Sequence, residues 1–203
     1  CRKVSEATAI EVAATGINWN FSPCIAIPQD ERWGRHYEGY SEHVDIVSEM
    51  GEASIIGYQT KELGSVNHSV VACAKHFIAD GATIWGTGMG NDPNKIDRGN
   101  APISDSLIRA KYLPPYQKAL DAGVGTVMAS FNSINDLKCH ANGYLFNDLL
   151  KDEMGFDGFV ISDWQGIDEI PGDYKSDIIN SVNAGIDMIM VPGAVPHLSL
   201  IHI

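Results

Sequence analysis

At 203 residues the chain is long enough for one domain with an ample core, and its 44% hydrophobic and 20% charged content is that of a globular protein, not a disordered or fibrous one. A formal charge of −12 leaves no basic face for phosphates; this argues against nucleic acid or an anionic membrane surface as a partner and suits a neutral or cationic ligand. No stretch of about 18 apolar residues exists, so no membrane-spanning helix is expected.

Taken in order, Val4 to Thr15 is alanine-rich with helically spaced apolar residues, and Gly16 stands where a helix C-terminal cap belongs. Ile17 to Pro23 alternates as a short strand. Gln29 to Glu38 (QDERWGRHYE) is too polar and aromatic for a core and too long for a tight turn, which marks a site loop. Val44 to Gln59 reads as a helix entered through Ser41 and Glu42. Val70 to Phe77 (VVACAKHF) has a buried-strand pattern but carries Lys75 and His76 at its far end. Ala79 to Pro102, rich in glycine, asparagine and aspartate, is long enough to be a functional loop. Ser104 to Asp121 reads as a helix capped by Ser104 and kinked or split at Pro114-Pro115. Val124 to Phe131 is a further strand running into Asn132. Tyr144 to Met154 is helical, Ser176 to Asn183 is a short helix, and Ile186 to Val191 is the last strand.

The chain is organised around Gly158-Phe159-Val160-Ile161-Ser162-Asp163-Trp164. An apolar run that follows a glycine and ends in a carboxylate and an indole is the pattern of a strand buried on both faces that stops at a polar site. Ser162-Asp163 would also serve as a helix cap. Trp164, which a helix start does not need, and the position at a strand's carboxyl end favour a catalytic Asp163. Strands alternating with helices imply a parallel sheet. Polar residues follow nearly every strand end (Arg35, Lys75-His76, Asn132, Asp163), which favours a ring of strands over an open doubly wound sheet. The expected fold is α/β, a partial TIM-type (β/α)8 barrel, because a complete barrel needs about 250 residues and this chain supplies about five strands.

The four cysteines Cys1, Cys24, Cys73 and Cys139 are widely spaced and form no C-x-x-C pair, so buried thiols are expected and neither a disulfide nor a zinc site. Asp92, Asp97, Asp168, Glu169 and Asp173 are scattered loop carboxylates, read as solvated surface before cation ligands. Cys1 in place of Met, with no leader pattern, suggests that a leader is lost or that the chain starts mid-gene.

The segments ATGINWNFSPCIAI, RWGRHYEGYSE, ACAKHFIADG, GVGTVMASFNSIN, KDEMGFDGFVISDWQGID and AGIDMIMVP together resemble glycoside hydrolase family 3, in its β-D-glucosidase and β-glucan exohydrolase branch. The likeness covers nearly everything from Val4 to Pro192. It implies Asp163 as nucleophile of a retaining exo-acting β-glucosidase and Trp164 as a wall for the sugar ring. It also implies Arg35, Lys75 and His76 as hydrogen-bonding partners of the glucose hydroxyls. Physical chemistry agrees: a retaining glycosidase needs an ionised carboxylate about 5–5.5 Å from a protonated one, cations keep the first ionised, and an indole face suits a pyranose. His76 on an apolar strand would otherwise be read as a core histidine.

Three departures from the family pattern stand out. Phe131 replaces a tyrosine near the nucleophile, removing a hydroxyl whose hydrogen bond is worth about 0.5–1.5 kcal/mol. Gln165 replaces a glutamate. The general acid/base glutamate belongs to a second α/β domain of the same polypeptide, and a substrate-binding aspartate upstream is also missing. Residues 1–197 are therefore expected to be a barrel truncated at both ends, inactive and aggregation-prone alone, and Leu198 to Ile203 (LSLIHI) a non-native tail. Within the family a β-xylosidase or N-acetylhexosaminidase is the runner-up, although K-H-F-I-A-D-G departs from the hexosaminidase K-H-F-P-G-H-G. The alternative from another class is an inactive carbohydrate-binding barrel fragment. The resemblance implies no metal or organic cofactor, a β-glucoside or β-glucan oligosaccharide as ligand, and a periplasmic or secreted location.

Overall fold

The structure, a computed structural model, describes residues 1–60, 62–91 and 93–192. The tail assignment at 198–203 and Asp92 lie outside the described residues. Three parallel strands form the centre: β1 (Cys73–Phe77), β3 (Thr126–Ala129) and β6 (Phe159–Ile161), hydrogen-bonded in the order β1-β3-β6. Parallel bridges extend the arc on both sides, Trp19 to Val71 and Cys24 to Lys75 on one, Ile161 to Met188 on the other. Five chain segments thus lie side by side in sequence order. A doubly wound sheet would reverse its order near the middle, so the arc is part of a barrel wall. A second, small sheet of β2 (Asn100–Ala101), β4 (Ser133–Ile134) and β5 (Leu137–Lys138) joins the loop after β1 to the loop after β3.

The pleat of the arc separates two apolar layers. Ala74, Val127 and Val160 belong to the main core with Ile55, Tyr116, Leu145, Phe146 and Leu149 of the helices, while Cys73, Met128 and Ile161 point the other way and meet Trp19 and Met190. Each fully buried Leu, Ile or Phe contributes about 1.5–3 kcal/mol. Phe77 adds an edge-to-face contact with Tyr116 at 4.8 Å. The expected burial of the β6 strand on both faces holds for Val160 and Ile161 but not for Phe159, which is 37% exposed.

Helices α1 (Arg2–Ala14) and α2 (Val44–Gln59) form where apolar periodicity predicts them, and Gly16 follows α1 with φ +85°. Gly57 lets them dock, since a Cβ there would lie 2.5 Å from the Arg2 carbonyl oxygen. Ser104 caps α3 (Asp105–Leu107) by accepting from Leu107 N, and the helix widens into a π-helix over Ile108–Tyr112 before α4 (Pro114–Asp121) starts at the proline pair. The helix expected from Tyr144 to Met154 is a π-helix, Tyr144–Glu153. Helix α5 (Tyr174–Asn183) starts two residues earlier than expected because Asp173 and Ser176 form a reciprocal capping box.

The strands expected at Ile17 to Pro23 and Ile186 to Val191 are reduced to single bridges. In the first, Pro23 has no N–H to contribute to a regular ladder, and only its carbonyl pairs, accepting from Lys75 N. The cysteines are free; Cys73 and Cys139 are buried as expected and Cys24 is half-buried, but Cys1 is exposed.

Candidate active site

Asp163 lies two residues beyond β6 and is 9% exposed. Its Oδ1 accepts the Trp164 amide at 2.6 Å, and its Oδ2 is buried with no hydrogen-bond partner. A buried carboxylate oxygen without a donor is uncommon and calls for a functional reason. Behind it stands His140, whose Nε2 accepts the Asp163 amide N–H at 3.0 Å. Burial, then the nearby Lys138 and His76, pushes the His140 pKa down to about 3, so the ring is a neutral acceptor near pH 7. The proton therefore sits on Nδ1, which makes no well-formed hydrogen bond; the Ser130 backbone exerts only a weak pull on it.

Strand β1 supplies His76, 3% exposed, between three groups. Its Nδ1 is 2.8 Å from Asp80 Oδ2, its Nε2 is 3.0 Å from an Arg35 guanidinium nitrogen, and the same Nε2 is 3.6 Å from Asp163 Oδ2. Arg35 precedes a short 3-10 turn (His36–Glu38) and holds Glu38 in a two-pronged contact at 2.7 and 2.8 Å. Burial opposes the charge of Arg35, but the Glu38 carboxylate outweighs it and raises the arginine pKa above its ordinary value. The Arg35 contact in turn holds Glu38 below the usual carboxylate range, against its partial burial. Trp33, Arg98, Ser130, Phe131 and Asn132 complete the cleft around Asp163.

The sequence matches the model of the glycosyl hydrolase family 3 N-terminal domain over residues 1–200. The chain belongs to glycosyl hydrolase family 3. It is 34% identical to a periplasmic beta-glucosidase of Salmonella typhimurium over 93% of its own length and 24% of that protein. A beta-xylosidase of Formosa agariphila is 35% identical over 99% of the chain and 28% of its own length. Among solved structures, an exo-1,3/1,4-beta-glucanase from a Pseudoalteromonas species superposes with a TM-score of 0.84 at 39% identity, covering 97% of this chain and 24% of that one. The chain thus spans about a quarter of the length of these family 3 relatives.

Of the family 3 residues anticipated from sequence, Arg35, His76, Phe131 and Asp163 meet in one cleft. Trp164 is 59% exposed and lines the adjoining open cavity of about 380 Å³ with Arg98, Phe131, Gln165, Asp168 and Glu169. Lys75 does not line the cleft. It is half-buried on β1, its side chain without a hydrogen-bond or ion-pair partner among the described residues, and its charge acts on Glu38, Cys24 and Cys73. A larger cavity of about 540 Å³ between Lys138, Ile170 and Asn183 lies away from Asp163 and holds none of these residues.

Two of the loop acids are not the solvated surface expected. Asp97 accepts the Trp33 indole N–H at 2.9 Å, and Glu169 binds Arg98 at 2.6 Å and Lys138 at 2.8 Å. Arg98, which lies 5.5 Å over the Phe131 ring, lines both the inner cleft and the outer cavity. Sequence reasoning missed Asp80, His140, Glu38 and Arg98. Asp80 sits within the K-H-F-I-A-D-G run and follows His76 by one helical turn's spacing, a signal that was available; the short C-H-A-N run around His140 carries none. Among the described residues no group of three His, Cys, Asp or Glu side chains is arranged to hold a metal ion.

Proposed function

We propose that the full-length protein carrying this chain is a retaining, exo-acting β-glucosidase that releases terminal β-D-glucosyl residues from glucans or oligosaccharides. The observation that carries this reading is the buried, partnerless Oδ2 of Asp163 at the end of β6, facing Arg35 and His76. Such an oxygen is free to attack an anomeric carbon and form a glycosyl-enzyme. Arg35 and His76 hydrogen-bond sugar hydroxyls, Lys75 joins them on substrate entry, and Trp164 and Phe131 supply apolar walls for ring faces. A second carboxyl group must protonate the leaving oxygen from about 5–5.5 Å away. Asp80 and Asp97, the other carboxylates of the cleft, are occupied with His76 and Trp33. The acid/base is accordingly assigned to a part of the polypeptide outside this chain. By analogy with the Salmonella relative, the protein acts in a periplasmic or secreted setting.

The test is inactivation of the full-length protein with a 2-deoxy-2-fluoro-β-glucoside followed by peptide mass spectrometry. A stable adduct on Asp163, and its loss in Asp163→Asn, is expected; an adduct on another carboxylate would sink the assignment. The beta-xylosidase relative gives the second reading its weight. Comparing kcat/KM for aryl β-glucoside and aryl β-xyloside decides between them, and the glucoside is expected to be preferred.

A further inference from the structure

We infer that Asp80 is a positioning residue for this site: by accepting the Nδ1–H of His76 it holds the ring in the tautomer whose Nε2 bears no proton, and so keeps His76 from donating to Oδ2 of Asp163. The inference rests on the reading of Asp163 as nucleophile. Arg35 can only donate, so its contact at 3.0 Å makes His76 Nε2 an acceptor and leaves Nδ1 as the N–H directed at Asp80, 2.8 Å away. The two contacts demand the same tautomer. The opposite tautomer would set two N–H groups against each other at Nε2, and the acceptor left for the histidine would be Asp163 Oδ2 at 3.6 Å. A donor on that oxygen would stabilise the carboxylate before attack and blunt it as a nucleophile.

Asp80 is well held for this task. It is 8% exposed, and its other oxygen accepts the Gly81 amide at 3.0 Å. Gly81 is pressed so close to the chain at Ile27 and Pro28 that a Cβ there would lie 2.3 Å from the Ile27 carbonyl oxygen. The carboxylate therefore has one face for the backbone and one for the imidazole. In Asp80→Asn only one of those acceptors survives. The Gly81 N–H cannot reverse its role, so the amide oxygen stays there and the NH2 group faces Nδ1. The ring proton then moves to Nε2.

Neutron diffraction from deuterium-exchanged crystals of the full-length protein reads the proton position directly, and the rate of covalent labelling by the 2-fluoroglucoside reads its consequence. The expected result is deuterium on Nδ1 in the parent and on Nε2 in Asp80→Asn, with labelling of Asp163 slowed about tenfold. Asp80→Glu, which keeps a carboxylate, is expected to restore Nδ1 protonation and part of the rate. Deuterium on Nε2 in the parent, or a proton that moves without any change in labelling rate, would overturn the inference. Should Asp80→Asn fail to fold, Asp80→Glu and the parent crystal still decide the tautomer. A parent that is never labelled at Asp163, with Nδ1 protonated, would instead count against the nucleophile reading alone.

Discussion

Gly166 shows how narrowly the site is packed. Gly166 lies against His140, where an added Cβ would come within 2.3 Å of Nε2, the atom that receives the Asp163 amide. Gly166→Ala should therefore destabilise the fold by about 1–3 kcal/mol, read from urea unfolding, and lower the rate of Asp163 labelling in the same variant. Glu38 carries a pH dependence. Its pKa is lowered by Arg35, so its stabilising contribution is complete above the unfolded value of about 4.5 and is lost as pH falls through the lower folded value. Unfolding free energy measured from pH 6 downward should drop less steeply in Glu38→Gln than in the parent. Among the cysteines, burial pushes Cys24, Cys73 and Cys139 up to about 12, whereas Cys1 is exposed. Iodoacetamide at pH 8 should alkylate Cys1 alone in the native protein. Modification of Cys73 under native conditions would contradict the packing described.

At the level of elements, Gln59 at the end of α2 locks the sheet to the helix layer. It is 1% exposed; its Oε1 accepts the amides of Ala72 and Gly125, and its Nε2 donates to the Gly123 carbonyl. Only the Ala72 amide is fully buried, so Gln59→Ala is expected to cost about 1–3 kcal/mol, the penalty for one orphaned donor, and not three times that. Chemical denaturation of the variant gives the value. The element pattern was largely legible in the sequence because helix caps and apolar periodicity are local: α1, α2, the Ser104 cap and the break at Pro114 are all read from neighbours in the chain. The π-helical winding of Tyr144–Glu153 was not legible, since π-helices are rare and their i→i+5 hydrogen bonds leave no signature in residue type. The site was legible to the extent that it sat on strand ends. Asp163, His76 and Arg35 follow that rule into the cleft, while Lys75, at the same strand end, does not line it. His140 and Arg98 come from connections whose residue types signal nothing until the fold brings them within reach.

On the scale of the whole molecule, five parallel segments make a wall and not a closed ring among the described residues. The cleft has one unengaged carboxylate, and acid assistance to the leaving group is worth about 10²–10⁴-fold. The 203-residue chain expressed alone should consequently show no robust hydrolysis of an aryl β-glucoside, the activity proposed for the full-length protein. Ready turnover by the chain alone would mean that a second acid lies within it.

The members of the cleft are also far apart along the chain, with Arg35 and His76 in its first half and Asp163 in its last quarter. At about 5–20 residues per second, a ribosome delivers the arginine roughly ten seconds before the aspartate it will face. During that interval the nascent chain presents a charged guanidinium and an imidazole whose acidic partners, Glu38 and Asp80, follow each within four residues. Arg35 and His76 thus meet their acidic partners locally as they emerge, and Asp163 is the last of the three to arrive.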